Sequence, residues 1–354
     1  MTCANTAQDG RESHLDACRQ SAGASFSRAK TAPGEDYEKR WSTARDRGRL
    51  AGLNTPQSYP QLVDGRHLVD FSEDTAARVV QDSFGKTPDP RLQEILTALT
   101  AHLHAFVRET RPTIQEWDQA IQFLTAVGHA CSDTRQEFVL LSDVLGVSTL
   151  VEILNEREGG TESTLLGPFH MVKSPPRSLG DNIDLVGEGE PCVVSGRVLN
   201  TDGTPLPNAE VDVWQCNEQG FYDVQQPDVQ PPGNGRGLFH TDAEGRFRFR
   251  TVVPSHYPLP TGGPVGRLLQ ATERHPYRPA HIHFIVQAAG HSPLTTHVFV
   301  AGSPYLDSDA VFAVKQSLIV DFPESDNEQE AVQYGLRPPF RRAEFDLALT
   351  KAPT

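Results

Sequence analysis

The hydrophobic period of this chain changes once, near Leu166-Gly167-Pro168-Phe169, and the change separates a stretch that can only bury itself as helix from one that must form sheet. Upstream, Leu92, Ile95, Leu96, Leu99, Leu103, Phe106 and Val107 recur at three- and four-residue steps, the stripe of an amphipathic helix. Arg111-Pro112 stops it, because proline pushes the residue before it out of helical geometry. Thr113-Ile114-Gln115-Glu116 then has the form of a capping box, opening a helix whose Ile114, Trp117, Ile121 and Leu124 share one face. A third helix carries Phe138, Leu141 and Leu145, with Gly146 placed to end it. Downstream, short alternating segments are punctuated by Gly, Pro and Asp, the pattern of an antiparallel β-sandwich, with strands expected over 193–199, 209–215, 238–241, 247–252, 281–286 and 296–300. Phe247 and Phe249 alternate with Arg246, Arg248 and Arg250, giving one buried and one wet face. The stretches 223–237 and 258–276 read as long Pro/Gly-rich loops, which in compact domains tend to carry function. The expected class is therefore mainly β with a helical N-terminal region: helices over 65–170 and a sandwich over 171–354. Residues 1–64 mix small and charged residues with almost no apolar period, and a disordered tail is expected there.

Composition narrows the function classes. The net charge is −14 over 354 residues with no Lys/Arg-rich block, which gives nucleic acid or an anionic membrane no electrostatic footing. Cys3, Cys18, Cys131, Cys192 and Cys216 are odd in number and lack zinc-like spacing, so reduced thiols are expected rather than a disulfide framework. No apolar run reaches the ~18 residues of a membrane span, and the polar, acid-containing start does not resemble a signal peptide. A cytoplasmic protein acting on a small molecule is the expectation.

The chemistry concentrates in Tyr277-Arg278-Pro279-Ala280-His281-Ile282-His283-Phe284. Two histidines one residue apart on a strand project from the same face and offer a pair of imidazole ligands, although a strand pair can equally sit in a hydrogen-bonded surface row. Upstream lie Tyr257, in Val253-Pro254-Ser255-His256-Tyr257, and Tyr222, in Gly220-Phe221-Tyr222-Asp223. Singly, Tyr222 reads as a sandwich-corner tyrosine, Tyr257 as loop packing and Arg278 as a surface residue. His102 and His104 sit in a helical stretch as solvent or interface groups, and His240 and His256 are candidates for groups behind a ligand.

In this order, the two tyrosines, the Arg-Pro-Ala lead and the His-x-His resemble the intradiol ring-cleavage dioxygenases, over roughly residues 65 to 350. The resemblance implies a non-haem Fe(III) centre ligated by Tyr222, Tyr257, His281 and His283. Ferric iron is a hard Lewis acid and phenolate a hard anionic donor, so coordination overcomes a phenol pKa of ~10. Two tyrosinates and one hydroxide neutralise the ion, and a catecholate dianion can replace a tyrosinate and the hydroxide without changing the net charge. By resemblance Tyr257 is the tyrosinate that leaves and takes the substrate proton, and Arg278 is the permanent cation beside the ring. The family further implies a homodimer formed by the helical region, in the catechol branch with phospholipid enclosed at the interface.

Several segments are most similar to the hydroxyquinol branch: residues 161–170, Val211-Asp212-Val213-Trp214-Gln215, Gly263-Pro264-Val265-Gly266-Arg267, and the stretch containing Tyr305-Leu306-Asp307-Ser308-Asp309. His297 stands where catechol-type enzymes typically carry Gln. Leu140 and Asp143, one helical turn apart, are implied at the pocket mouth, with Asp143 meeting a third ring hydroxyl. Leu166, Gly167, Pro168, Phe169, Arg278 and His297 complete the implied substrate pocket. The expected activity is aromatic catabolism, cleaving hydroxyquinol to maleylacetate with O₂. Catechol giving cis,cis-muconate is the alternative, and two readings of other classes are a non-catalytic β-sandwich binding module and a cupin-like Fe(II) or Zn(II) enzyme.

Overall fold

The computed structural model describes residues 70–132, 135–170 and 173–353. The tail expected over 1–64, with Cys3 and Cys18, lies outside the described residues. Two compact units divide between Ala101 and His102. In the first, helix α1 (Ala76–Ser83) is tied to the second turn of α2 (Pro90–Thr110) by Gln81 Nε2, which donates to the Thr97 carbonyl at 3.0 Å.

The second unit opens its helices as their ends dictate. Helix α3 (Ile114–His129) starts on the expected capping box: Thr113 Oγ1 accepts from the Glu116 amide at 3.2 Å, and Glu116 Oε2 accepts from the Thr113 amide at 2.7 Å. Helix α4 (Glu137–Val144) stops before Gly146, whose φ of 71° is the left-handed value glycine adopts freely, and α5 (Val147–Asn155) begins there.

The remainder is two five-stranded sheets. In chain order the strands are β1 (Pro191–Asn200), β2 (Glu210–Trp214), β3 (Arg236–His240), β4 (Arg246–Val252), β5 (Tyr257–Pro258), β6 (Tyr277–Arg278), β7 (His281–Gln287), β8 (Leu294–Val300), β9 (Ile319–Val320), β10 (Glu324–Ser325), β11 (Phe340–Glu344) and β12 (Leu347–Leu349). One sheet is β10-β11-β1-β12 with β4 on β1, the other is β3-β2-β7-β8-β9, and β5-β6 form a separate ribbon. The six expected strands are all present. Two features depart from the expected pattern. Strands β11 and β12 both pair parallel to β1, as β9 does to β8, so the sandwich mixes parallel pairs into its antiparallel frame. The stretch 258–276, expected as loop, contains helix α6 (Pro264–Ala271), which starts with proline at its first turn, where a missing N–H costs nothing.

Between the sheets lie Val194, Val198, Val211, Val213, Phe247, Phe249, Ile282, Phe284 and Val286, the core expected from the alternation. That alternation also aims the site. Because Ile282 and Phe284 point into the core, His281 and His283 must emerge on the outer face of the same sheet. Among the described residues, no helix is long and apolar enough to cross a membrane.

Candidate metal centre

Four short pieces of backbone converge on that outer face. Strand β7 presents His281 and His283, both fully buried. The ribbon pairs Tyr257 directly with Arg278, so the second tyrosine and the arginine arrive as one cross-strand unit three residues ahead of the first histidine. Tyr222 stands before a single 3₁₀ turn, Asp223–Gln225, with its amide donating to Gln225 Oε1 at 2.9 Å. Arg236 fixes that turn from β3: its Nε donates to Asp223 Oδ1 at 2.8 Å and its Nη2 to the Phe169 carbonyl at 2.9 Å. Gly220 lets the two tyrosine loops meet, since at its φ of 85° a Cβ would lie 2.9 Å from Tyr257 Cβ.

The side chains then close on one point. Tyr222 Oη lies 3.0 Å from His283 Nε2 and 3.5 Å from Tyr257 Oη, and His281 Nε2 lies 3.1 Å from His283 Nε2. His281 Nδ1 donates to the Pro279 carbonyl at 2.7 Å, which leaves its Nε2 lone pair directed at the cluster. Burial first, and then the Arg278 charge, holds His281 well below the usual imidazole range; His283 is lowered by burial and by the neighbouring His297 and His281. Both rings are therefore neutral. Burial pushes the phenols of Tyr222 and Tyr257 upward, at Tyr257 despite the Arg278 charge beside it, so both stay protonated unless a metal ion draws the protons off. Two buried phenols and two neutral imidazoles, aimed at one another with their other polar edges already satisfied, fit a hard trivalent metal ion.

Around these four the packing is close. Trp214 stacks on His283 with ring centres 4.6 Å apart and planes 12° off parallel, and Phe169 stacks on Tyr222 at 4.5 Å. Gly167, at φ 74°, lies over His283, where a Cβ would come within 3.0 Å of Cε1. Arg278 is buried, its Nε and Nη2 donating to Asp309 at 3.1 and 3.3 Å and its Nη1 facing His281 Nε2 at 3.2 Å. Burial opposes that charge, but Asp309 and Tyr257 outweigh it and keep the guanidinium protonated.

The expected pocket residues are placed as follows. Asp143 is buried on α4 within electrostatic range of Arg278 and Asp309; burial raises its carboxyl pKa, partly offset by a hydrogen bond from Ser148. Leu140 is buried beside it in the helical core, whereas Leu166 is 45% exposed and it is Leu165 that points inward. His297 is fully buried behind His283 with both ring nitrogens engaged by protein groups, Nε2 by His283 and Nδ1 by Thr164, so it differs from the expected pocket-lining residue. His256 packs among Tyr277 and Tyr305, and His240 sits half-exposed 3.6 Å from Glu210, both away from the four donors. Asp309, Trp214 and Thr164 had been visible only as parts of longer segments, and Arg236 carried no signal at all. Cys131, Cys192 and Cys216 are free thiols, and burial pushes Cys216, beside the tyrosines, up to about 12.

Residues 176–349 match the family model described as Dioxygenase, and residues 89–162 match the model described as Catechol dioxygenase N terminus. The hydroxyquinol 1,2-dioxygenase of Rhizobium sp. (strain MTP-10005) is 50% identical over 267 residues, covering 75% of this chain and 90% of that protein. The catechol 1,2-dioxygenase of Candida albicans is 38% identical, covering 71% of this chain and 84% of the relative. A crystal structure of hydroxyquinol 1,2-dioxygenase from Pseudomonas putida DLL-E4 superposes with a TM-score of 0.73 at 44% identity, over 79% of this chain and 99% of that one. With this agreement running through both the helical and the sandwich parts, the chain belongs to the intradiol ring-cleavage dioxygenases.

Proposed function

We propose that this enzyme cleaves hydroxyquinol between its vicinal hydroxyls, giving maleylacetate, with Fe(III) held by Tyr222, Tyr257, His281 and His283. The observation that carries the reading is a chain of buried donors, Tyr257 Oη to Tyr222 Oη to His283 Nε2 to His281 Nε2, in which each step is 3.0–3.5 Å. The ferric ion, when bound, supplies the Lewis acidity that ionises the substrate diol and makes its ring carbon nucleophilic toward O₂.

The protein's own groups do the rest. Tyr257 would hold the metal as tyrosinate, and because burial raises its pKa that tyrosinate would be a strong base toward a substrate hydroxyl proton. Arg278, held by Asp309, places a fixed positive charge where the ring becomes electron-rich. Phe169 lies against Tyr222 and Gly167 against His283, which supports a substrate wall built from that turn.

Asp143 carries the choice of substrate. Its carboxyl, buried on α4 near Arg278, accepts the third ring hydroxyl of hydroxyquinol, and catechol leaves it without that partner. Oxygen uptake is the test. The wild type is expected to favour hydroxyquinol, and Asp143→Ala to lower kcat/KM for hydroxyquinol about 10–100-fold, the worth of one hydrogen bond to a charged group, while catechol cleavage holds or rises. Equal losses on both substrates would refute the assignment and favour the catechol reading, with cis,cis-muconate as product.

The helices also imply a partner. Ile114, Trp117, Phe138, Leu150 and Leu154 are between 47% and 76% exposed, an apolar surface that a second copy of this chain would cover, with phospholipid enclosed between the copies. Light scattering after size exclusion should return the mass of a dimer; a monomer would contradict this pairing.

A further inference from the structure

Trp214, His283 and His297 lie opposite one another on β2, β7 and β8, in a single row across the sheet. The His283 ring therefore has two polar ends with different surroundings. Its Nε2 faces Tyr222 Oη at 3.0 Å and His281 Nε2 at 3.1 Å, and its Nδ1 faces His297 Nε2 at 2.7 Å. On the far side, His297 Nδ1 lies 2.9 Å from Thr164 Oγ1, and the Thr164 amide donates to the Thr295 carbonyl of β8 at 2.9 Å. His297 lies close enough to count as a third member of a histidine cluster with His281 and His283. Yet its ring meets the Nδ1 edge of His283, while Tyr222 and His281 meet the Nε2 edge, and one imidazole can give a metal only one lone pair.

The proton positions follow from that geometry. A neutral His283 that binds metal through Nε2 carries its proton on Nδ1 and donates it. His297 Nε2 must then be bare to accept, so the His297 proton sits on Nδ1 and is donated to Thr164 Oγ1. We propose that His297, itself oriented by Thr164, is a positioning residue that fixes the tautomer and ring plane of His283 and thereby sets how tightly the centre retains its metal. The inference rests on the ferric reading of the site given above. Trp214 on the ring face and Gly167 against Cε1 restrict tilt, but neither offers an acceptor to Nδ1–H. His297 is the one described group hydrogen-bonded to that nitrogen.

Ferric affinity measured against a competing chelator tests this, with thermal unfolding of each variant run alongside. His297→Leu, which keeps bulk but removes the acceptor, is expected to weaken ferric binding 10–100-fold, the range lost when a ligand histidine's supporting partner is removed. His297→Gln, whose amide oxygen can accept the same bond, should stay within a few-fold of wild type, and Thr164→Val should weaken binding by less than His297→Leu. In the gallium(III)-loaded wild type, ¹⁵N NMR of the imidazoles should place the His297 proton on Nδ1 and leave Nε2 bare. Wild-type affinity in His297→Leu, equal losses in the Leu and Gln variants, or a proton on His297 Nε2 would each overturn the proposal. If His297→Leu does not fold, Thr164→Val and the imidazole spectrum decide it. A wild type that takes up no ferric iron would instead bring down the ferric reading, and this inference with it.

Discussion

Replacing His283 by alanine is expected to remove ferric iron and turnover together. His283 is the side chain around which the others are arranged: Tyr222 and His281 meet its Nε2, Trp214 covers its face, and His297 engages its Nδ1. Without it, one imidazole and two phenols remain, and burial holds those phenols protonated unless a cation draws the protons off. The loss should exceed the roughly 10–100-fold attached to outer partners of a metal ligand, and it should appear in the iron-to-protein ratio as well as in oxygen uptake. The sandwich should persist, because His283 lies on the outer face of its sheet and contributes nothing to the core between the sheets. A variant that keeps iron and near-normal activity would mean that the donors do not act as a set.

Arg278→Met should produce the opposite combination, with iron retained and turnover reduced about 10²–10³-fold, as when one preorganised charge-stabilising group is removed. Stability should fall as well. Asp309 keeps its bonds from the Val311 and Ala313 amides but loses two from the guanidinium, and a buried carboxylate deprived of its cation costs about 3–5 kcal/mol. The two effects can be separated. Adding Asp309→Asn to Arg278→Met should recover much of the thermal stability and none of the turnover. Recovery of both would show that Arg278 matters only through folding.

The histidine pair was legible from sequence because period-two geometry forces residues 281 and 283 to one face whatever the rest of the chain does. The helices were legible for a related reason: a capping box and a three-and-four stripe are local patterns, and Thr113 and Glu116 bond as their spacing requires. Tyr222 was less decidable. Residue spacing alone left it between a corner tyrosine and a ligand, and only the folding of residues 61 apart puts its Oη 3.0 Å from His283 Nε2. His297 shows the limit most clearly. The family resemblance placed it near the site, but which edge of His283 it faces depends on the register of β7 against β8, which no local pattern encodes. Strands β11 and β12 escaped for the same reason, since their partner β1 lies about 150 residues earlier. Helix α6 did leave a signal: Val265, Leu268 and Leu269 keep helical spacing after Gly263-Pro264, inside a stretch whose Pro/Gly content reads as loop. Arg236 had no such trace, because an arginine near a glycine on a short strand becomes a support for Tyr222 only when Asp223 and Phe169 fold around it.

The most direct test of the centre is the visible spectrum of the purified, ferric-loaded protein, followed by anaerobic addition of hydroxyquinol and then of catechol. Tyrosinate-ligated ferric iron should give a broad charge-transfer band and a burgundy protein, the band should move to longer wavelength as substrate binds, and hydroxyquinol should shift it at lower concentration than catechol. A protein that remains colourless after ferric loading would show that Tyr222 and Tyr257 are packing residues and would contradict the metal centre proposed here.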